Sequence, residues 1–253
     1  MKKISILSIL ISLFLAAVLI AGEVEDLVEK GNTAFDKWDY SKAIEYYKEA
    51  LKKDEKNFTA LWKTANAYIN LGVLEQEDDD KKESLFNQGS LFAQKAVKEH
   101  PQKADGYAML SIAEGRLAMF AGGKRKVELS KSVKKNAQLA LKYDPNHDGA
   151  LHVLGAWHRE VATLGGFLKF FAKVLYGGLP DANMKDSIKY LEKAVKVKPS
   201  NIEHHLDLAK SYIEEDMEDK ARKELKLAIE LPPTEGYDKL NKAEAKELLE
   251  DLD

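Results

Sequence analysis

Six histidines, a run of carboxylates and a glycine pair before a lysine are the residues here that could do chemistry. His152 and His158 stand six positions apart and leave one helix on different faces. His147 and His152 are five apart, and His204 and His205 are adjacent. Zinc hydrolysis needs two histidines at i and i+4 around a glutamate base, and no such pair occurs, so no metal site is expected. The acidic run Glu75–Asp80 lacks the spacing and the glycine of a calcium loop, and a solvated loop is expected. In Ala121–Lys126 (AGGKRK), Arg125 follows Lys124 where a phosphate-cradling loop needs Ser or Thr, so Gly122-Gly123 is expected to be a turn. The nucleophile elbow G-x-S-x-G is absent, and the chain has no cysteine, which excludes thiol catalysis, disulfides and thiolate zinc. The expectation is a chain with no catalytic residues and no cofactor: not an enzyme.

What remains is binding, and composition narrows it. The 253 residues are 45% hydrophobic and 32% charged, with a formal net charge of −3. A mildly acidic, mixed-sign surface lacks the basic face that a nucleic acid needs, so no nucleic-acid partner is expected.

The elements that would position a binding surface are helices in repeat. Ala50-Leu51, Ala96-Val97, Ala140-Leu141, Ala194-Val195 and Ala228-Ile229 occupy one equivalent place. Five positions beyond the Ala stand Glu55, Pro101, Pro145, Pro199 and Pro233. Alanine lets two helices approach closely, and proline stops a helix before the next begins. Gly31, Ala65, Ser111, Gly155 and Ala209 put a small residue at one spot in each first half. These residues resemble the tetratricopeptide repeat. Unit one matches through Leu27, Gly31, Tyr40, Ala43, Tyr47 and Ala50; unit five matches through Leu208, Ala209, Tyr212, Ala221, Leu225, Ala228 and Pro233. The resemblance implies an all-α, tetratricopeptide-like right-handed helical solenoid of about five helix pairs. Units are expected at about 24–57, 58–103, 104–147, 148–201 and 202–235, with a polar-faced cap at 241–252. Units two to four exceed the 34-residue repeat, with the excess at Val73–Lys82, Phe120–Val127 and Thr163–Asp186. There it should lengthen helices or project loops from one edge.

A narrower resemblance runs through Leu151, His152, Leu154, Gly155, Trp157, Glu160, Val161 and Ala162, then Gly177, Gly178 and Pro180. It is similar to the regulator of microtubule dynamics family, tetratricopeptide-like proteins with long inter-helix insertions, and covers roughly Pro101–Leu252. The resemblance implies the fold, and a possible phospholipid ligand from one relative implicated in phospholipid binding. The microtubule role is not expected to carry over, because an exported chain never meets tubulin.

In this repeat class the first helix of each pair lines a concave groove. By register the groove residues are Asn32, Phe35, Trp62, Asn66, Arg116, His152, Arg159 and Lys210, facing a protein or peptide partner. Replacing Asn66 and Arg159 with Ala should weaken capture and leave the melting temperature nearly unchanged. The carboxylate clamp of chaperone-binding relatives is not supported, because Val28, Lys63, Asp105 and Met109 stand at four of its positions.

The insert Thr163–Pro180 carries the second candidate. Phe167, Phe170, Phe171 and Val174 share one side of a short helix bracketed by Gly165-Gly166 and Gly177-Gly178. Packing as core against helix 149–162 is the expectation. The alternative is phospholipid contact by Phe167, Phe170, Phe171 and Val174, with Lys169 and Lys173 meeting an anionic head group. Lys2-Lys3 followed by the apolar run Ile4–Ala21 reads as an export signal within residues 1–22, giving a periplasmic or extracellular protein, or else a membrane anchor at 4–21.

Overall fold

The computed structural model describes residues 6–252, with side chains from Ala21 onward except those of Phe167 and Phe171. All regular elements among the described residues are helices: α1 (Ile6–Asp36), α2 (Tyr40–Lys53), α3 (Phe58–Leu74), α4 (Asp79–Glu99), α5 (Ala104–Phe120), α6 (Gly123–Tyr143), α7 (Asp148–Thr163), α8 (Gly166–Tyr176), α9 (Met184–Val197), α10 (Ile202–Ile213), α11 (Glu218–Glu230) and α12 (Asp238–Glu250). They pair as α1/α2, α3/α4, α5/α6, α7/α9 and α10/α11, and α12 covers the last pair. This is the tetratricopeptide-like solenoid of five helix pairs with a cap.

The repeated small residues make the pairing possible. A Cβ placed on Gly31 would lie 2.3 Å from the Tyr47 ring, and one on Gly155 would lie 2.6 Å from Leu191 Cγ. The second helix therefore lays a large side chain directly on the backbone of the first. In unit three Ser111 takes that place, and its hydroxyl donates to the Val133 carbonyl at 2.9 Å. Ala43, Ala50, Ala96, Ala140, Ala194 and Ala228 are fully buried, as close helix approach demands.

Unit boundaries repeat one turn. The N–H groups of Asn57, His147 and Asn201 donate to the carbonyls of Asp54, Asp144 and Lys198, three residues back, at 3.1 Å in each case. The same three side chains then accept from Ala60, Ala150 and His204, supplying the N-caps of α3, α7 and α10.

The long units solve their excess in two ways. Units two and three lengthen both helices, with α3 and α5 of 17 residues and α4 and α6 of 21. Unit four inserts α8 between α7 and α9. Gly177 and Gly178 close α8 at φ 74° and 80°, the left-handed region that glycine adopts without strain. The apolar run Ile4–Ala21 lies almost wholly outside the described side chains; the backbone of α1 runs from Ile6 into the first repeat helix without a break.

Candidate functional site

The first helices α1, α3, α5, α7 and α10 meet in series along the concave side. Their polar side chains fall into two groups.

At the first end, the Asn32 carbonyl oxygen accepts from the Tyr47 hydroxyl at 3.0 Å, while its amide donates to Glu29 at 3.1 Å. Phe35 meets the Tyr40 ring edge-on at 4.9 Å. Asn66 accepts from the Asn70 amide at 3.0 Å. Trp62 packs partly against the main core, with Lys63 Nζ 5.2 Å from its ring centre. Burial lowers the Lys63 ammonium pKa, against the upward pull of Asp36, Glu29 and Asp105. Those three carboxylates come from α1 and α5, so Lys63 lies between its neighbours' concave faces.

At the second end, four of the sequence-predicted residues converge. Arg116 donates to Glu203 at 2.7 Å, linking the end of α5 to the start of α10. His152 Nε2 is 2.7 Å from Asp207 Oδ2. Arg159 donates to the Asp207 carbonyl at 2.9 Å and to its carboxylate at 3.1 Å. Lys210 lies 3.5 Å from Asp207 and 2.7 Å from Glu244 of the cap. Burial alone would raise the Asp207 carboxyl, but Arg159 and the His152 hydrogen bond outweigh it and hold it well below the usual carboxylate range. His204 stacks on His152 at 5.0 Å, and burial together with that neighbour pushes it down to about 3, so it is neutral.

Arg159 is thus a buried ion-pair member, 8% exposed, where an open groove residue was expected. The expectation that its removal spares the fold is corrected on that ground. Register reasoning also missed Glu203 and Asp207. Leu206, on the neighbouring stripe of α10, is 1% exposed and belongs to the core. The concave stripe of α10 is Glu203, Asp207 and Lys210, at i, i+4 and i+7. That spacing is visible in the sequence of α10.

The cluster pairs each cation with a carboxylate. It holds three helices in register and offers ion pairs that a polar segment could exchange into. Among the described residues no group of three His, Asp or Glu side chains is sited to hold a metal.

The insert departs from the expected core packing. Leu168, Phe170 and Val174 are 58%, 60% and 62% exposed, while Ala172 is buried. Phe167 and Phe171 lie outside the described side chains. The helix α8 turns away from α7 and rests on α6, where Lys131 donates to the Tyr176 carbonyl at 3.2 Å. Lys169 donates to the Ala162 carbonyl at 2.8 Å, capping the end of α7. The first part of the acidic run closes on itself as a loop, with Glu75 accepting from the Glu77 and Asp78 N–H groups and pairing with Lys81, while Asp79 and Asp80 open α4.

The family description regulator of microtubule dynamics protein 1-3 matches residues 27–253. Regulator of microtubule dynamics protein 1 of Bos taurus is 22% identical over 90% of this chain and 71% of its own length. Regulator of microtubule dynamics protein 3 of Mus musculus is 27% identical over 74% of this chain, which spans only 40% of that relative. Among solved structures, a thermophilic tetratricopeptide repeat protein of Thermus thermophilus superposes with a TM-score of 0.65 at 17% identity. The match covers 88% of this chain and 98% of that one, and at such identity it shows the fold alone.

These matches overturn the expected export, and with it the periplasmic or extracellular placement; the anchor alternative at 4–21 lies almost wholly outside the described side chains. The relatives are regulators of microtubule dynamics, and microtubules lie within cells. The reason for setting the microtubule role aside falls with it. Among the described residues no helix is long and apolar enough to cross a membrane.

Proposed function

We propose, from the fact that this chain belongs to the regulator of microtubule dynamics family, that it is a non-catalytic scaffold capturing a protein or peptide partner on its concave face. The observation that carries the reading is the paired ionic cluster of Arg116, Glu203, His152, Asp207, Arg159 and Lys210 on that face. Its groups are tied to one another in ion pairs, an arrangement suited to recognition by exchange and unsuited to a nucleophile or a general base. The relatives' names make the microtubule system the first place to look for the partner. Asn32, Phe35, Trp62 and Asn66 form the second half of the proposed surface.

Quantitative immunoprecipitation from the native cell tests the reading. A protein enriched by the wild-type chain and lost in a Lys63→Glu, Lys210→Glu double variant supports it. Equal enrichment by both chains refutes it.

A second reading, phospholipid binding through the insert, rests on the exposed apolar arc of Leu168, Phe170, Val174 and Leu175. Native mass spectrometry of detergent-free protein tests it: co-purifying phospholipid, lost in a folded Val174→Asp variant, supports it, and lipid-free protein refutes it.

A further inference from the structure

The two ends of the solenoid touch. The connection between α11 and α12 reaches the turn between α1 and α2, and the Gly236 N–H donates to the Tyr40 hydroxyl at 3.0 Å across 196 residues of sequence. Gly236 fits there because it has no side chain: a Cβ on it would lie 3.1 Å from the Tyr40 ring and 3.2 Å from Trp38 Cβ. Trp38 itself takes φ 61°, a conformation rare for a bulky residue, and stays 45% exposed beside the seam. The next residue, Tyr237, donates to Glu203 at 3.1 Å, and Glu203 holds Arg116. The seam is therefore continuous with the ionic cluster of the concave face.

The connecting arm is built to hold its shape. Pro232 and Pro233 fix two backbone angles. The buried Asp238 carboxylate accepts the N–H groups of Thr234 and Glu235 at 2.7 and 2.8 Å. The arm is thus anchored firmly to the cap, and its far end meets unit one where Gly236 donates to Tyr40 and lies against Trp38. The tip is held by two hydrogen bonds, Gly236 to Tyr40 and Tyr237 to Glu203, so release at the tip breaks these and leaves the anchorage to the cap intact.

We infer that segment 231–237 is a latch closing the concave face between unit five and unit one, and that a partner segment enters when the Gly236–Tyr40 contact releases. This rests on the concave face being the binding surface, and it names how access to that surface is controlled.

The cysteine-free chain makes a clean test. A Trp38→Cys, Gly236→Cys double variant brings two Cβ atoms near the roughly 3.5–4.5 Å that a disulfide spans. Oxidation should give an intramolecular disulfide in the double variant and in neither single variant. A bulky amine-reactive biotin ester then probes access to Lys63 and Lys210, with the exposed Lys48 of α2 as internal reference, read by peptide mass spectrometry. Locking should slow both concave lysines at least threefold relative to Lys48, and reduction should restore them. A Gly236→Val variant, whose side chain cannot fit the seam, should label them faster than wild type. A disulfide that leaves both rates unchanged, or a folded Gly236→Val variant that labels both lysines no faster than wild type, would overturn the latch. The readout needs no partner, so it can fail while partner capture stands, and partner capture can fail while it succeeds.

Discussion

Arg159 donates to Asp207 twice, once to the carboxylate at 3.1 Å and once to the backbone carbonyl at 2.9 Å, and so pins α7 to α10 from within. Both side chains are buried. Removing one partner of such a pair leaves an uncompensated charge in a low-dielectric site, at a cost of about 3–5 kcal/mol. Arg159→Ala should therefore lower the unfolding free energy by about that amount in urea melts. Asn66→Ala, which loses a half-exposed amide contact, should cost about 1 kcal/mol or less.

Glu235 provides a pH test. Burial pushes its carboxyl up from 4.5 to about 7, opposed by Lys198 at 3.8 Å. A carboxyl whose folded pKa is raised makes the native state bind more protons than the unfolded state, so stability falls as pH rises from about 4.5 to about 7. Glu235→Gln removes that loss. Melting at pH 8 should show the variant more stable by up to about 3 kcal/mol. At pH 4.5 the two chains should nearly coincide. A variant less stable at pH 8 would mean that the Lys198 pairing dominates.

The close approach at Gly31 predicts a fold defect from a small change. A Cβ there meets the Tyr47 ring at 2.3 Å, so Gly31→Ala forces the first two helices apart. Overpacking of this kind costs about 1–3 kcal/mol. Thermal melting measures it, and a companion Tyr47→Leu change should recover part of the loss.

On the insert the expectation is the reverse. Val174 is 62% exposed, so Val174→Asp should change stability by no more than about 0.5 kcal/mol. Cooperative unfolding at a markedly lower temperature would show that α8 packs as core.

The repeat was legible because its signals are local. Alanine, the small residue facing Tyr47 or Leu191, and the stop after each second helix all act within one helix pair. The insert was legible as a helix, from its glycine brackets and its apolar face. Its neighbour was not, because a three-dimensional turn at Gly165 decides whether that face meets α7 or passes over α6. The concave residues were half legible. Arg116, His152, Arg159 and Lys210 were picked by register, but the burial of their partners Glu203 and Asp207 is set by how α5, α7 and α10 meet, which no single helix encodes. The Gly236–Tyr40 seam joins positions 196 residues apart and leaves no periodic trace in the sequence.

The claim that the concave face takes the partner is tested most directly by placing a photo-cross-linking amino acid at two positions in turn. One is Asn66, on the concave side of α3; the other is Lys48, on the exposed face of α2. After irradiation in the native cell, the account predicts a discrete protein adduct from position 66 and none from position 48. Adducts from position 48 alone would contradict it.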